Sequence, residues 1–295
     1  MADGIEHIGV VGSGLMGSGI TEVCARAGMD VTVVEADATA AERGQERLEK
    51  SLLTGARRGK LTDEEAETAL ARVRYATDLG ELADRELVIE AITEDAAAKV
   101  AVFKTLDEVV LSEHAILASN TSSIPIMKLA TVTRRPEQVL GLHFFNPVPV
   151  LKLVELVTSL MTSNVVVDRS TALVTGPLGK RVIRSQDRAG FVVNSLLIPY
   201  LLSAVRMLES GFATRDDIDA GMVEGCAHPM GPLALSDLIG LDTMQAVAES
   251  LYEEFKEPLY APPPLLLRMV EAGLMGRKSG RGFYEYGRQT ERATA

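Results

Sequence analysis

The chain has 295 residues, 46% of them hydrophobic and 24% charged, which excludes a disordered or collagen-like chain and leaves room for a sizeable core. Thirty basic against 41 acidic side chains give a net charge of −11, so the surface as a whole repels nucleic acid and anionic lipid, and any anionic ligand needs a local basic patch. Two cysteines, Cys24 and Cys226, with no CxxC, and only four histidines indicate neither a disulfide framework nor a zinc site; a reducing, cytoplasmic setting fits best.

The first residues carry acids where a signal peptide has lysines, so no export signal is expected. Ile5 to Val11 is an apolar run leading into glycines, after which Ile20, Val23, Cys24 and Ala27 recur at helical spacing up to Gly28. Asp30 to Glu35 is β-branched and ends in an acid, completing a β-α-β unit. Residues 38–71 are rich in Ala, Glu, Leu and Arg and read as an inserted helical arm of one or two helices, broken near Gly55 and Gly59. Strand-like runs return at 73–76, 87–91, 115–118, 139–144, 151–157 and 181–184, with helical stretches at 96–109, 124–130 and 170–178 between them.

That alternation predicts an α/β fold of the Rossmann type: a doubly wound, mostly parallel sheet covered on both faces, with the last strands antiparallel at its edge. After Asp187 only helices are predicted, at 192–209, 215–224, 235–255 and 265–272, so the domains are read as 1–187 and 188–295. Thr214 ahead of Asp216 and Asp217 is a helix start, and the prolines at 258 and 262–264 mark a non-helical loop. The longest apolar stretch, Phe191 to Leu208, contains Asn194, Pro199 and Arg206; it reads as a buried helix rather than a membrane span.

Gly12-Ser13-Gly14-Leu15-Met16-Gly17 matches GxGxxG, follows a predicted strand and opens a predicted helix. In that setting the three glycines allow a tight turn, close approach of backbone to a pyrophosphate, and close helix packing. The helix N-terminus adds N–H donors and a positive dipole end. Glu35 follows 23 residues after Gly12, where an acid bonds adenosine ribose hydroxyls and repels a 2′-phosphate, so NAD is expected over NADP.

Two polar clusters, Ser119-Asn120-Thr121-Ser122 and His143-Phe144-Phe145-Asn146, follow strand ends, where open parallel sheets place their ligands. His143 has no metal-like partners around it and suits acid-base work. Glu155 interrupts the apolar run at 151–157; strand alternation turns it inward, where a carboxylate on one ring nitrogen fixes the tautomer and stabilises the imidazolium. Read from residue type alone, His143 is equally a satisfied structural histidine and Glu155 an exposed edge residue.

At these motifs the chain resembles the 3-hydroxyacyl-CoA dehydrogenase family, and the likeness covers nearly its whole length. The matching pieces are GSGLMGSGI at Gly12, VIEAITED at Val88, ILASNTSSI at Ile116, GLHFFNPVPVLKLVELV at Gly141, DRAGFVVNSLLIPYL at Asp187, HPMGPLALSDLIGLD at His228 and GRKSGRGFYEY at Gly276. The resemblance implies NAD as cofactor, an acyl-CoA substrate, His143 as catalytic base oriented by Glu155, and substrate contacts from Ser122 and Asn194. Asn120 joins the cofactor set, and the nicotinamide-side contacts fall on Glu94, Lys99, Asn146 and Lys278. By residue type alone Lys99 and Lys278 read as solvated surface charge.

The helical arm corresponds to the family's CoA-binding element, with Ser51 and Arg58 as contacts and Arg57, Arg58 and Lys60 as the basic patch for CoA phosphates. Thr54 and Arg58 stand where lysines are common, and Glu35 replaces the usual aspartate. A homodimer through the helical domain is also implied. The reaction expected is interconversion of (S)-3-hydroxybutyryl-CoA and acetoacetyl-CoA. The alternatives are a dehydrogenase of a non-CoA hydroxy acid such as gulonate, and a non-catalytic NAD-binding protein.

Overall fold

The apolar runs of the first part of the chain become the strands of one sheet in a computed structural model, which describes residues 4–287. The outer ends of the two expected domains, 1–3 and 288–295, lie outside the described residues. The strands are His7–Val11 (β1), Asp30–Val34 (β2), Val73–Ala76 (β3), Leu87–Glu90 (β4), Ile116–Ser119 (β5), Val139–Phe144 (β6), Leu153–Thr158 (β7) and Arg181–Gln186 (β8), paired in the order β3-β2-β1-β4-β5-β6-β7-β8. β1 to β6 run parallel, which makes this the doubly wound order 3-2-1-4-5-6. The predicted antiparallel edge is met at one seam only: β7 reverses against β6, and β8 then runs parallel to β7. β4, β5 and β6 are buried along their whole length, as a sheet covered on both faces requires.

Helices Leu15–Arg26 (α1), Ala38–Arg57 (α2), Asp63–Ala71 (α3), Ala96–Val109 (α4), Ile126–Ala130 (α5) and Asn164–Thr175 (α6) complete this part. The arm is two helices, and its break falls at 58–62 alone. Gly59 there has φ +66°, whereas Gly55 sits inside α2, where a Cβ would come to 3.1 Å from Leu61. Ala41, Gly44, Leu48 and Leu52 form the buried stripe of α2, and Leu48 and Leu52 join the same core as Ile20 and Cys24 of α1. Thr62 and Glu65 form a reciprocal capping box that starts α3. α6 begins six residues before the predicted start of 170, capped by Ser163; the β-branched Val165, Val166 and Val167 hide its first turn from propensity.

The chain divides after Arg188 into two compact units. The second holds Val193–Glu209 (α7), Arg215–Cys226 (α8), Pro232–Ile239 (α9), Leu241–Phe255 (α10) and Pro264–Glu271 (α11), around a core that includes Leu201, Leu202, Leu233, Met244 and Leu251. The single helix predicted at 235–255 is two, because Gly240 at φ +100° ends one and begins the next. Pro264 opens α11 instead of belonging to the loop, since proline is tolerated at a first helical position. Thr214 caps α8 as predicted, its side chain accepting from the Asp217 amide. Among the described residues, no helix is long and apolar enough to cross a membrane.

Candidate active site

The carboxyl ends of β1, β2, β4, β5 and β6 lie along one edge of the sheet, and the predicted site residues of the first unit other than Ser51 and Arg58 gather there. The turn after β1 is shaped by what a side chain would meet. At Gly12, with φ +94°, a Cβ would stand 2.9 Å from the Ala91 carbonyl oxygen, and at Gly17 it would stand 1.9 Å from that of Gly12. At Gly14 it would meet nothing within 4 Å. Two glycines therefore serve close packing, and the third faces open space at the N-cap of α1, where a pyrophosphate approaches backbone N–H groups. Glu35, just past β2, accepts from the Ser13 amide and, at 2.8 Å, from the Ser13 hydroxyl. Arg47 of the arm binds the Ser13 carbonyl, which ties α2 to this turn. The turn and Glu35 thus fit the pyrophosphate and adenosine ribose of a dinucleotide.

Beyond the switch point lies a chain of charges. Glu90 ends β4 in register with Ser119 at the end of β5, and the Ser119 hydroxyl donates to its Oε2 at 2.6 Å. Its Oε1 accepts from the Lys99 ammonium at 2.6 Å and the Ile92 amide at 2.7 Å. Lys99 is only 1% exposed and also faces Glu94 at 3.3 Å, so the surface-charge reading of Lys99 does not hold. One oxygen of Glu94 accepts from the hydroxyl of Thr121 at 2.5 Å and from the amides of Ser122 and Ser123 at 2.9 and 3.1 Å. Burial pushes the Glu94 carboxyl up, but the Lys99 ammonium and these donors outweigh it and hold the group below the usual carboxylate range. The Ser122 hydroxyl lies 3.4 Å from the same oxygen.

His143 and Glu155 face each other directly across the antiparallel β6–β7 ladder. Opposed residues on such a ladder lie side by side, so register alone brings the two side chains together. Nδ1 of His143 is 2.7 Å from Oε2 of Glu155, and both residues are buried. The Phe145 ring packs against the imidazole with centroids 4.6 Å apart. Asn120, on the loop after β5, accepts the Phe144 amide at 2.8 Å and so pins the end of β6 beside His143. Asn146 is exposed just beyond that end.

Other predicted residues stand apart. The Ser51 hydroxyl donates to buried Glu22 of α1 at 2.6 Å, while Arg57, Arg58 and Lys60 are exposed at the end of α2. Asn194 is the second residue of α7, and Lys278 is exposed and bonded to Asp242; both belong to the second unit. Sequence reasoning passed over Glu90 and named Thr121 only as a member of a polar cluster. An acid closing the apolar run Leu87-Val88-Ile89 was the available signal for Glu90, as it was for Glu35.

Strand order and turn together define a dinucleotide-binding protein of the doubly wound class. Residues 7–188 match the profile of the 3-hydroxyacyl-CoA dehydrogenase NAD binding domain, and residues 190–286 that of the 3-hydroxyacyl-CoA dehydrogenase C-terminal domain. The chain is similar to the 3-hydroxybutyryl-CoA dehydrogenase of Mycobacterium tuberculosis, 58% identical over 97% of this chain and 100% of that protein. It is also similar to a probable 3-hydroxybutyryl-CoA dehydrogenase of Bacillus subtilis, 45% identical over 97% of this chain and 99% of the relative. The crystal structure of (S)-3-hydroxybutyryl-CoA dehydrogenase from Ralstonia eutropha superposes with a TM-score of 0.91 at 46% identity, covering 96% of this chain and 99% of that one. The chain belongs to the 3-hydroxyacyl-CoA dehydrogenase family and is an NAD-dependent oxidoreductase.

Proposed function

We propose that this protein interconverts (S)-3-hydroxybutyryl-CoA and acetoacetyl-CoA, with His143 as general acid-base. The observation that carries the reading is the buried 2.7 Å contact between His143 Nδ1 and Glu155 Oε2 at the sheet edge that carries the dinucleotide turn. Names of relatives that match along the whole chain support the substrate.

Glu155 orients the imidazole through Nδ1 and stabilises its protonated form, which assigns Nε2 to the substrate proton. In oxidation Nε2 takes the 3-hydroxyl proton, and in reduction the imidazolium returns it to the forming alkoxide. NAD, when bound, accepts or supplies the hydride. Gly12–Gly17 and Glu35 hold its pyrophosphate and adenosine ribose, and Glu35 repels a 2′-phosphate. Glu94, Lys99, Asn120 and Asn146 border its nicotinamide half. Ser122 and Asn194 contact the substrate, and Lys278 is assigned to the cofactor. Ser51 and Arg58 bind CoA, with Arg57 and Lys60 adding positive charge on a protein whose net charge is −11. Leu196 on α7 and Phe212, 72% and 80% exposed, are apolar surface suited to a homodimer contact through the second unit.

His143→Gln is expected to cut NADH-dependent reduction of acetoacetyl-CoA by about 10²- to 10⁴-fold while NADH still binds. Glu155→Gln, which keeps the shape and removes the charge, should fall in the same direction by a smaller factor. Full turnover in His143→Gln would overturn the mechanism. Turnover of free acetoacetate rather than the CoA ester would overturn the substrate.

A further inference from the structure

Pairing Lys99 needs only one carboxylate, and the structure supplies two. Glu90 is fully buried and accepts at both oxygens, from Lys99 at 2.6 Å, Ile92 N at 2.7 Å and Ser119 Oγ at 2.6 Å. The Ser119 hydroxyl itself accepts the Thr121 amide at 3.2 Å, which leaves its proton for Glu90. Glu90 therefore takes only donors and completes the charge of Lys99 by itself. Glu94, 3.3 Å from the same ammonium, adds a charge that Lys99 no longer balances. Asp95 next to it is spent on the N-terminus of α4, accepting from the Ala98 amide at 2.7 Å. The hydroxyl and amide donors that hold the Glu94 carboxylate are neutral, so they stabilise its charge without cancelling it, and a positive group brought beside it gains the attraction.

The fold identifies that group. With the pyrophosphate at the turn after β1 and the adenosine ribose at Glu35 past β2, a bound dinucleotide crosses the switch point, and its nicotinamide half lies over the ends of β4 and β5. Those are the ends that carry Glu90, Glu94, Ser119 and Ser122. The oxidised nicotinamide ring carries a positive charge, and the reduced ring carries none. We propose that Glu90, Lys99 and Glu94 together hold one net negative charge beside the nicotinamide, which strengthens NAD+ binding relative to NADH binding, with Glu90 the positioning residue that sets this balance through Lys99. A charge acts on the two forms differently, whereas a merely structural contact acts on both alike.

This inference rests on the cofactor placement given under Proposed function. NADH binding is read on the full-length protein by fluorescence titration and NAD+ binding by displacement of NADH, in the unaltered protein, Glu90→Gln and Glu90→Asp. Glu90→Gln is nearly isosteric and uncharged, and should weaken NAD+ relative to NADH by about tenfold, the size of one charge acting through a partly screened medium. Glu90→Asp keeps the charge and shortens the reach, and should hold the ratio within about twofold of the unaltered protein. Equal weakening of both forms in Glu90→Gln, with the ratio unmoved, overturns the proposal. Should Glu90→Gln not fold, Glu94→Gln reads the same ratio at a side chain that is 35% exposed. Unaltered protein that binds neither form would instead overturn the cofactor placement.

Discussion

Gly14 and Gly17 stand three residues apart in one turn, and alanine should do opposite things at the two positions. At Gly17 the added methyl would sit 1.9 Å from the Gly12 carbonyl oxygen, a fixed backbone atom. Ordinary contact is well over 3 Å, so turn and helix must part by about 1 Å, an overpacking worth roughly 1–3 kcal/mol or more. The gain of alanine over glycine inside a helix returns up to about 1 kcal/mol. With a clash this short the cost lies at the upper end, and a net loss of about 2 kcal/mol should lower the melting temperature of the ligand-free protein by about 4–8 °C.

At Gly14 the methyl meets nothing within 4 Å, and the fold loses at most about 1 kcal/mol for a poorer N-cap residue. That open space is where we propose the pyrophosphate sits, so NADH affinity should fall tenfold or more, about 1.4 kcal/mol. Thermal melts without ligand and NADH fluorescence titrations of the two variants separate the effects. A Gly14→Ala protein that bound NADH normally would refute the placement of the pyrophosphate. A Gly17→Ala protein that melted like the unaltered one would refute the packing argument.

Asp107 offers a test by pH. Burial alone would push its carboxyl up, but Arg134 and Arg135, bonded to it at 2.8 and 2.9 Å, hold it below the usual range. A depressed carboxylate binds its proton more weakly in the folded state, so its stabilisation is present above about pH 4 and lost as pH falls further, through the folded value. The melting-point gap between the unaltered protein and Asp107→Asn should therefore be wide at pH 7 and shrink towards pH 3; a gap independent of pH would contradict this. Burial also pushes the Cys24 thiol up to about 12, while Cys226 is exposed. A thiol reagent at pH 8 should modify no more than one cysteine per native chain and two after denaturation; rapid loss of both from native protein would show that Cys24 is accessible.

Much of the fold was legible because its signals are local. The turn from Gly12 to Gly17, the acid at Glu35 and the β-branched runs each announce their element within a few residues, and the sheet order follows from how doubly wound chains connect. The boundaries that went astray share a cause. Gly240 divides a continuous apolar helix pattern with one backbone torsion, Pro264 is a breaker that serves as a helix start, and the valines of α6 favour strands when taken alone. The pairing of His143 with Glu155 was legible as chemistry, and only the ladder register made it a contact. Lys99 was harder. A lysine looks like surface charge unless its partners are known, and Glu90, which buries it, is nine residues away on another element.

The seam between β6 and β7 carries a consequence for how such a protein can diversify. Because the two strands are antiparallel, the register of the His143–Glu155 pair is set by the ladder on either side of it, at Gly141–Val157, Leu142–Leu156 and Phe144–Val154, while the connection at 145–152 adds the Phe145 ring against the imidazole. A parallel arrangement would have required a crossover of a dozen residues or more in place of the short connection at 145–152. Here the pair proposed to handle the proton and the connection at 145–152 share one hairpin, and beyond Phe145 and Asn146 that connection supplies none of the ladder pairings that set the register of the pair. Changes of length in the outer part of that connection therefore leave the register of the pair as the ladder sets it.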